Sequence, residues 1–205
     1  MKPMLSRIRV LMKESLSETS HFEIKPSVSK SQKPMTLNLL MYRAHALDDS
    51  LATELYRRLL DMAPWKKADE IRSRKTGFTR KARKVGITDQ LFIELIPYVE
   101  DILKTFGRSY AILGLYLNWY ENGQSYTPSH THETDQLVIS LGATRILRVG
   151  SQDFPMKHGD AVLFGTQPHS VPQETLHTDS RFPEGRISIA TFMIPHSIEL
   201  TLGSK

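Results

Sequence analysis

Between Leu37 and Phe106 the apolar residues recur at two different periods. LNLLMYR, from Leu37, reads as a short strand. Asp48-Asp49-Ser50 then stands where a helix cap belongs, ahead of LATELYRRLLDM with its apolar residues at helical spacing. Pro64 stops that helix. A second helix is predicted from about Gln90 to Phe106, because Leu91, Phe92, Leu95, Ile96, Val99, Ile102 and Leu103 repeat every three or four positions, and Gly107 closes it. Past Gly107 the pattern changes to short alternating or β-rich runs broken by turns: AILGLYLNWY, QLVISLG, TRILRVG, AVLFG and RISIATFMI. Five or more strands after two helices predict an α+β chain, with a rolled or sandwiched antiparallel sheet braced by helices rather than a βαβ fold.

The first 35 residues fall outside this pattern. They are rich in Ser, Lys and Pro with no sustained apolar period, which predicts a flexible basic arm over 1–35 and one domain over 36–205. With 40% apolar residues in 205, a single sizeable core is expected. No run approaches the ~18 uninterrupted apolar residues of a membrane span, so a soluble chain is expected, without a membrane partner and as a monomer. There are no cysteines. Disulfide frameworks, zinc ribbons and thiolate catalysis are thereby excluded, and any metal must be held by His, Asp or Glu. The absence fits a reducing compartment, and an intracellular location, cytoplasmic or nuclear, is expected.

Net charge becomes informative only when it is split along the chain. The whole carries +5, residues 1–35 carry +4, and residues 66–84 carry +7. A local polyanion contact, with nucleic acid as the obvious partner, accounts for such concentration, as would a solvated lysine-rich loop.

Two constellations bear on chemistry. His130 and His132 lie two apart, the spacing that puts side chains on one face of a strand, and His169 follows the strand AVLFG. A pair plus one distant His is the spacing of a mononuclear metal site across neighbouring strands, and two surface histidines with one loop histidine give the same letters. Asn118 and Tyr120 end one strand and Arg186 opens the last. Amide, phenol and guanidinium together suit a small dicarboxylate, with the planar Arg fork on one carboxylate.

Taken in order, N118-W-Y120, Gly123, H130-T-H132, ISLG, GDAVLFG, H169-S-V-P and R186-I-S-I-A-T-F resemble the AlkB family of iron and 2-oxoglutarate dioxygenases over about residues 38–195. Leu39–Trp65 looks like that family's opening strand and helix, and FTRKARKVG is similar to its nucleotide-recognition segment. The resemblance implies a double-stranded β-helix (jelly-roll) core with supporting N-terminal helices. It further implies Fe(II) on His130, residue 132 and His169, and 2-oxoglutarate held by Asn118, Tyr120 and Arg186. The family typically hydroxylates an alkyl group on a methylated nucleobase.

The sequence departs from the family twice. His132 stands where the family has Asp, which turns a two-His, one-carboxylate set into three His; neither Glu133 nor Asp135 is a secure substitute. Phe192 stands where the family has a second Arg, and Arg145 or Arg148 is the nearest candidate to make up the contact. For substrate, Arg80, Lys81, Arg83 and Lys84 form the expected phosphate-contacting group, with Phe78 or Tyr126 to stack on an unpaired base. The expected activity is hydroxylation of a nucleobase in DNA or RNA. A retired site kept for nucleic-acid binding, or hydroxylation of a protein or small molecule, are the alternatives.

Overall fold

Both helices and the β-rich half are present in the computed structural model of the protein, which describes residues 39–62, 65–67, 80–174 and 180–196. The arm expected over 1–35 lies outside those residues. Helix α1 (Asp49–Leu60) starts where the Asp48 carboxylate accepts from the Leu51 N–H at 2.9 Å, satisfying one donor that a helix start leaves orphaned. It buries Ala52, Leu55, Tyr56 and Leu59 as one stripe, and it ends before Pro64 is reached. Helix α2 (Gln90–Thr105) is capped in the same way by Asp89 and buries Leu91, Leu95, Val99, Ile102 and Leu103. Pro97 is tolerated inside it because that face is exposed, where the carbonyl that loses its donor meets water. Gly107, at φ +64°, ends the helix: its N–H donates to the Lys104 carbonyl at 2.9 Å, and the Arg108 N–H to that of Leu103 at 3.2 Å.

The described strands are β1 (Leu40–Arg43), β2 (Lys66–Lys67), β3 (Lys81–Val85), β4 (Tyr110–Tyr120), β5 (Thr127–His130), β6 (Asp135–Gly142), β7 (Arg145–Val149), β8 (Gln152–Met156), β9 (Ala161–Phe164), β10 (His169–Val171) and β11 (Arg186–Pro195). They pair antiparallel in a large sheet, β1-β9-β6-β11-β4-β3-β2, and a small one, β5-β10-β7-β8. The centre of the large sheet is buried on both faces. Leu115 and Leu117 of β4, Leu137 and Ile139 of β6 and Ile187 and Ile189 of β11 pack in one core with both helices. The opposite face sends Tyr120, Val138, Val162 and Phe164 into a second core with Leu147, Val149, Phe154, Met156 and Val171 of the small sheet. A strand buried on both sides reads as an unbroken apolar run, which is why QLVISLG shows little alternation. Two antiparallel sheets facing each other, with helices against one outer face, make the expected jelly roll.

One junction fixes where β11 begins. Gly185 and Gly142 have φ of +90° and +89°, and a Cβ on Gly185 would lie 2.1 Å from the Tyr120 carbonyl oxygen. The Gly185 carbonyl accepts from the Ala143 N–H at 2.9 Å and from the Tyr56 hydroxyl at 2.8 Å, tying α1 to the sheet. His158 does similar work nearby. Its Nδ1 accepts from the Gly142 N–H at 2.8 Å, so Nε2 carries the proton and faces Thr53 Oγ1 at 3.2 Å. Asp160, fully buried, accepts from the Tyr42 hydroxyl at 2.6 Å and from the backbone N–H groups of His45 and Lys157 at 3.0 and 2.8 Å. Those three donors offset its desolvation.

Gly185→Ala is expected to lower unfolding stability by ~2–4 kcal/mol in urea denaturation, since it adds a steric clash to left-handed strain. Gly150→Ala, at φ +59° with nothing within 4 Å, should cost only about 1–2 kcal/mol. In alkali, the phenols of Tyr42 and Tyr110 are both pushed up to about 12, first by burial and then by the neighbouring carboxylates of Asp160 and Asp135. A folded-state value above the unfolded one means stability that is complete below about pH 10 and lost as pH rises toward 12. Ultraviolet titration of phenolate should place Tyr42 and Tyr110 among the late-ionising tyrosines, and Tyr42→Phe should remove one late-ionising phenol.

Candidate functional site

The small sheet brings the histidines together. His130 of β5 and His169 of β10 are direct register partners, and His132 follows two residues past the end of β5. Ring centroids are separated by 4.9 Å (130 to 132), 4.3 Å (130 to 169) and 5.4 Å (132 to 169). Their candidate ligand atoms all lie within 4.8 Å of one another. His130 Nδ1 lies 2.9 Å from the Pro128 carbonyl oxygen and His169 Nδ1 3.2 Å from that of Gln167. A carbonyl only accepts, so both Nδ1 atoms carry a proton, which leaves Nε2 as the nitrogen through which the neutral ring binds a metal. No carboxylate joins the cluster among the described residues. Glu133 is exposed, and Asp135 accepts from the Tyr110 hydroxyl at 3.1 Å.

A pocket runs from these rings to Arg186 and has no Asp or Glu in its wall. Arg186 is 0% exposed, between Tyr120 of β4 and Gly142 of β6 in register. Its Nε donates to Ser140 Oγ at 2.8 Å, while its two terminal nitrogens have no hydrogen-bond partner. Burial brings its pKa down to about 10, and it remains a cation at neutral pH. A buried guanidinium with an open two-nitrogen edge is matched by a carboxylate. Tyr120 lies beneath it, ring centroid 5.5 Å from the guanidinium carbon, with its hydroxyl 2.8 Å from Thr127 Oγ1. Asn118 accepts from Arg80 Nε at 2.7 Å and faces Ser188 Oγ at 3.4 Å. Three imidazoles at one end and this cation at the other suit Fe(II) and 2-oxoglutarate.

The described end of the basic stretch, residues 80–84, does not stay together. Pairing of β3 with β4 puts Ala82 opposite Asn118 and Lys84 opposite Tyr116, on the pocket face, and Lys81 opposite Trp119 and Arg83 opposite Leu117, on the helix face. Lys81 pairs with Glu121 at 2.8 Å, and Arg83 with Asp89 at 3.1 Å. Arg80, read from the sequence as a phosphate contact, is 5% exposed in the pocket wall, whereas Lys84 is exposed. Tyr126 is half-buried and does not line the pocket, and Phe78 lies outside the described residues. Neither arginine expected to make up for Phe192 reaches the pocket. Arg145 donates to the carbonyls of Asn122, Ser125 and Pro172 at 2.7–2.8 Å and pairs with Glu174 at 3.2 Å, and Arg148 holds Asp153 with two bonds on the surface. Sequence reasoning missed Gln136, a pocket-wall residue 2% exposed; its only signal was one amide at the head of the apolar run QLVISLG.

No known protein-family profile and no curated protein matches the sequence. Solved structures do match. OsALKBH1 is 14% identical over 75% of this chain and 97% of its own, with a TM-score of 0.56. A Trichoplax adhaerens prolyl hydroxylase, solved with a hypoxia-inducible-factor peptide, is 12% identical over 78% and 84%, at 0.55. SnoN, a non-haem α-ketoglutarate-dependent epimerase of nogalamycin biosynthesis, is 13% identical over 77% and 79%, at 0.57. The shared property at these identities is the fold.

Arg145→Met, which strands Glu174 and frees several loop carbonyls, should cost ~3–5 kcal/mol in urea denaturation. Arg148→Met, removing an exposed pair, should change stability by less than about 1 kcal/mol.

Proposed function

We propose that the chain is an Fe(II)- and 2-oxoglutarate-dependent dioxygenase acting on a nucleobase of DNA or RNA. The observation that carries the reading is one pocket with a metal-competent imidazole cluster at one end and a buried, unsatisfied guanidinium at the other. Ferrous iron with 2-oxoglutarate, when bound, would supply hydroxylation of a substrate C–H bond by dioxygen, one oxygen atom going to the substrate and the other to succinate, with carbon dioxide released. His130 and His169 would hold the ion through Nε2, oriented by their Nδ1–H donors, and His132 would complete the set. Arg186, steadied by Ser140 and resting on the Tyr120 ring, would take the distal carboxylate, with Asn118 and Tyr120 beside it. Phe164 and Phe192 pack against His169 and His132, each at 4.9 Å between centroids, and would exclude water from the metal.

For the substrate, support comes from the charge of residues 66–84 and from Arg80 and Lys84 sharing the pocket face. Lys84 would meet a phosphate and Arg80 the group that enters the pocket. A base reaches such a site only unstacked, from a single strand or by flipping.

Purified protein incubated with Fe(II), 2-oxoglutarate and methylated oligonucleotides is expected to release succinate, and Arg186→Met to bind 2-oxoglutarate at least tenfold more weakly. Lys84→Ala should weaken oligonucleotide binding across sequences and lower the salt slope by about one. Lack of any iron-dependent oxoacid binding in the wild type would falsify the dioxygenase reading. Oligonucleotide binding without metal uptake would favour a binding-only protein, and succinate release on peptides alone would move the substrate class.

A further inference from the structure

Gln136 opens the pocket-facing row of β6 and is 2% exposed, yet its Nε2 has no hydrogen-bond partner. In register it lies between Phe192 of β11 and Phe164 of β9. Those two rings touch different histidines: Phe192 meets His132 edge-on and Phe164 lies tilted against His169, each at 4.9 Å between centroids. The amide therefore belongs to the imidazole end of the pocket, bracketed by two phenyl rings that offer it no acceptor. Arg186 lies six residues from Phe192 along β11, an even number of positions, so it faces the same pocket and serves the other end. A buried amide donor in an apolar bracket is costly unless a ligand brings an acceptor to it.

A carboxylate chelating a metal has the needed atom. One oxygen binds the ion and the other keeps its lone pairs. We propose that Gln136 Nε2 donates a hydrogen bond to the metal-chelating carboxylate of 2-oxoglutarate, so that the oxoacid is held by this chain at both ends, by an amide near the metal and by the Arg186 guanidinium at its far carboxylate. The inference rests on the dioxygenase reading above. Gln136 is a neutral donor, and it orients the chelate without adding charge beside the ion.

The test uses the full-length chain loaded with Mn(II), titrated calorimetrically with 2-oxoglutarate and with pyruvate, which shares the chelating end and lacks the distal carboxylate. Gln136→Met is close in size and apolar. It is expected to weaken both acids by the same factor, about 10- to 100-fold, and to shift the visible charge-transfer band of the anaerobic Fe(II) complex. Without metal or acid, the same variant should melt at or above the wild-type temperature, because an unsatisfied buried donor has gone. Gln136→Glu, which sets a like charge against the carboxylate, should bind worse than Gln136→Met. Affinities within twofold of wild type with an unchanged band, weakening of 2-oxoglutarate alone, or a lower melting temperature of the free Gln136→Met protein would each overturn the assignment. Wild-type protein that binds no 2-oxoglutarate with Mn(II) would instead refute the dioxygenase reading, and this inference with it.

Discussion

A charge buried away from the protein surface governs this molecule. The Arg186 guanidinium has zero exposure, one neutral hydrogen-bond partner and an aromatic ring beneath it, and the elements around it hold it there. Gly142 and Gly185 adopt backbone angles that other residues resist so that β11 can start against β4 and β6, and Tyr56 reaches from α1 to pin the same corner. Desolvating a cation in this way opposes folding, and an anion that binds only the folded state returns the lost stability through linkage. The ligand-free fold is thus left with a buried cation whose terminal nitrogens lack acceptors, a cost that a bound carboxylate would offset.

At the histidine end the balance is different. His132 and Phe192, the two departures from the AlkB-like pattern, are sixty residues apart in sequence, yet their rings are in edge contact at 4.9 Å. An acid at the first position and an arginine at the second would be neighbours there. Replacing both by uncharged rings strands neither charge, so the two departures form one compatible change rather than two separate injuries. Three imidazoles would leave a bound dication less neutralised than a set with a carboxylate, and would so alter its affinity for anions and its redox poise.

Much of this was readable in the residues. The helix stripes, their Asp caps and the longer strands follow from periodicity and cap chemistry, and His130, His132 and His169 follow from ligand spacing. A strand through His130 and His132 is expected from their spacing, and β5 ends at His130 with His132 beyond it; the three residues of β10 carry too little pattern to be read, although their pairing with β5 is what aligns His169 with His130. The basic stretch looked like one patch in linear order. A strand divides its side chains by parity, so Lys81 and Arg83 went to acids on the helix face while Arg80 turned inward. Gln136 was hidden because a strand buried on both faces tells nothing of which buried residue faces a cavity.

The small sheet ends at β8, whose outer side carries no further strand among the described residues. Pro155 is the fourth of that strand's five residues, paired with Ile146. A proline fits a regular ladder only where its nitrogen points away from the neighbour, so the missing N–H falls on the open side. Any foreign strand trying to extend the sheet would meet a gap in the donor row, and this border is thereby protected against edge-to-edge aggregation.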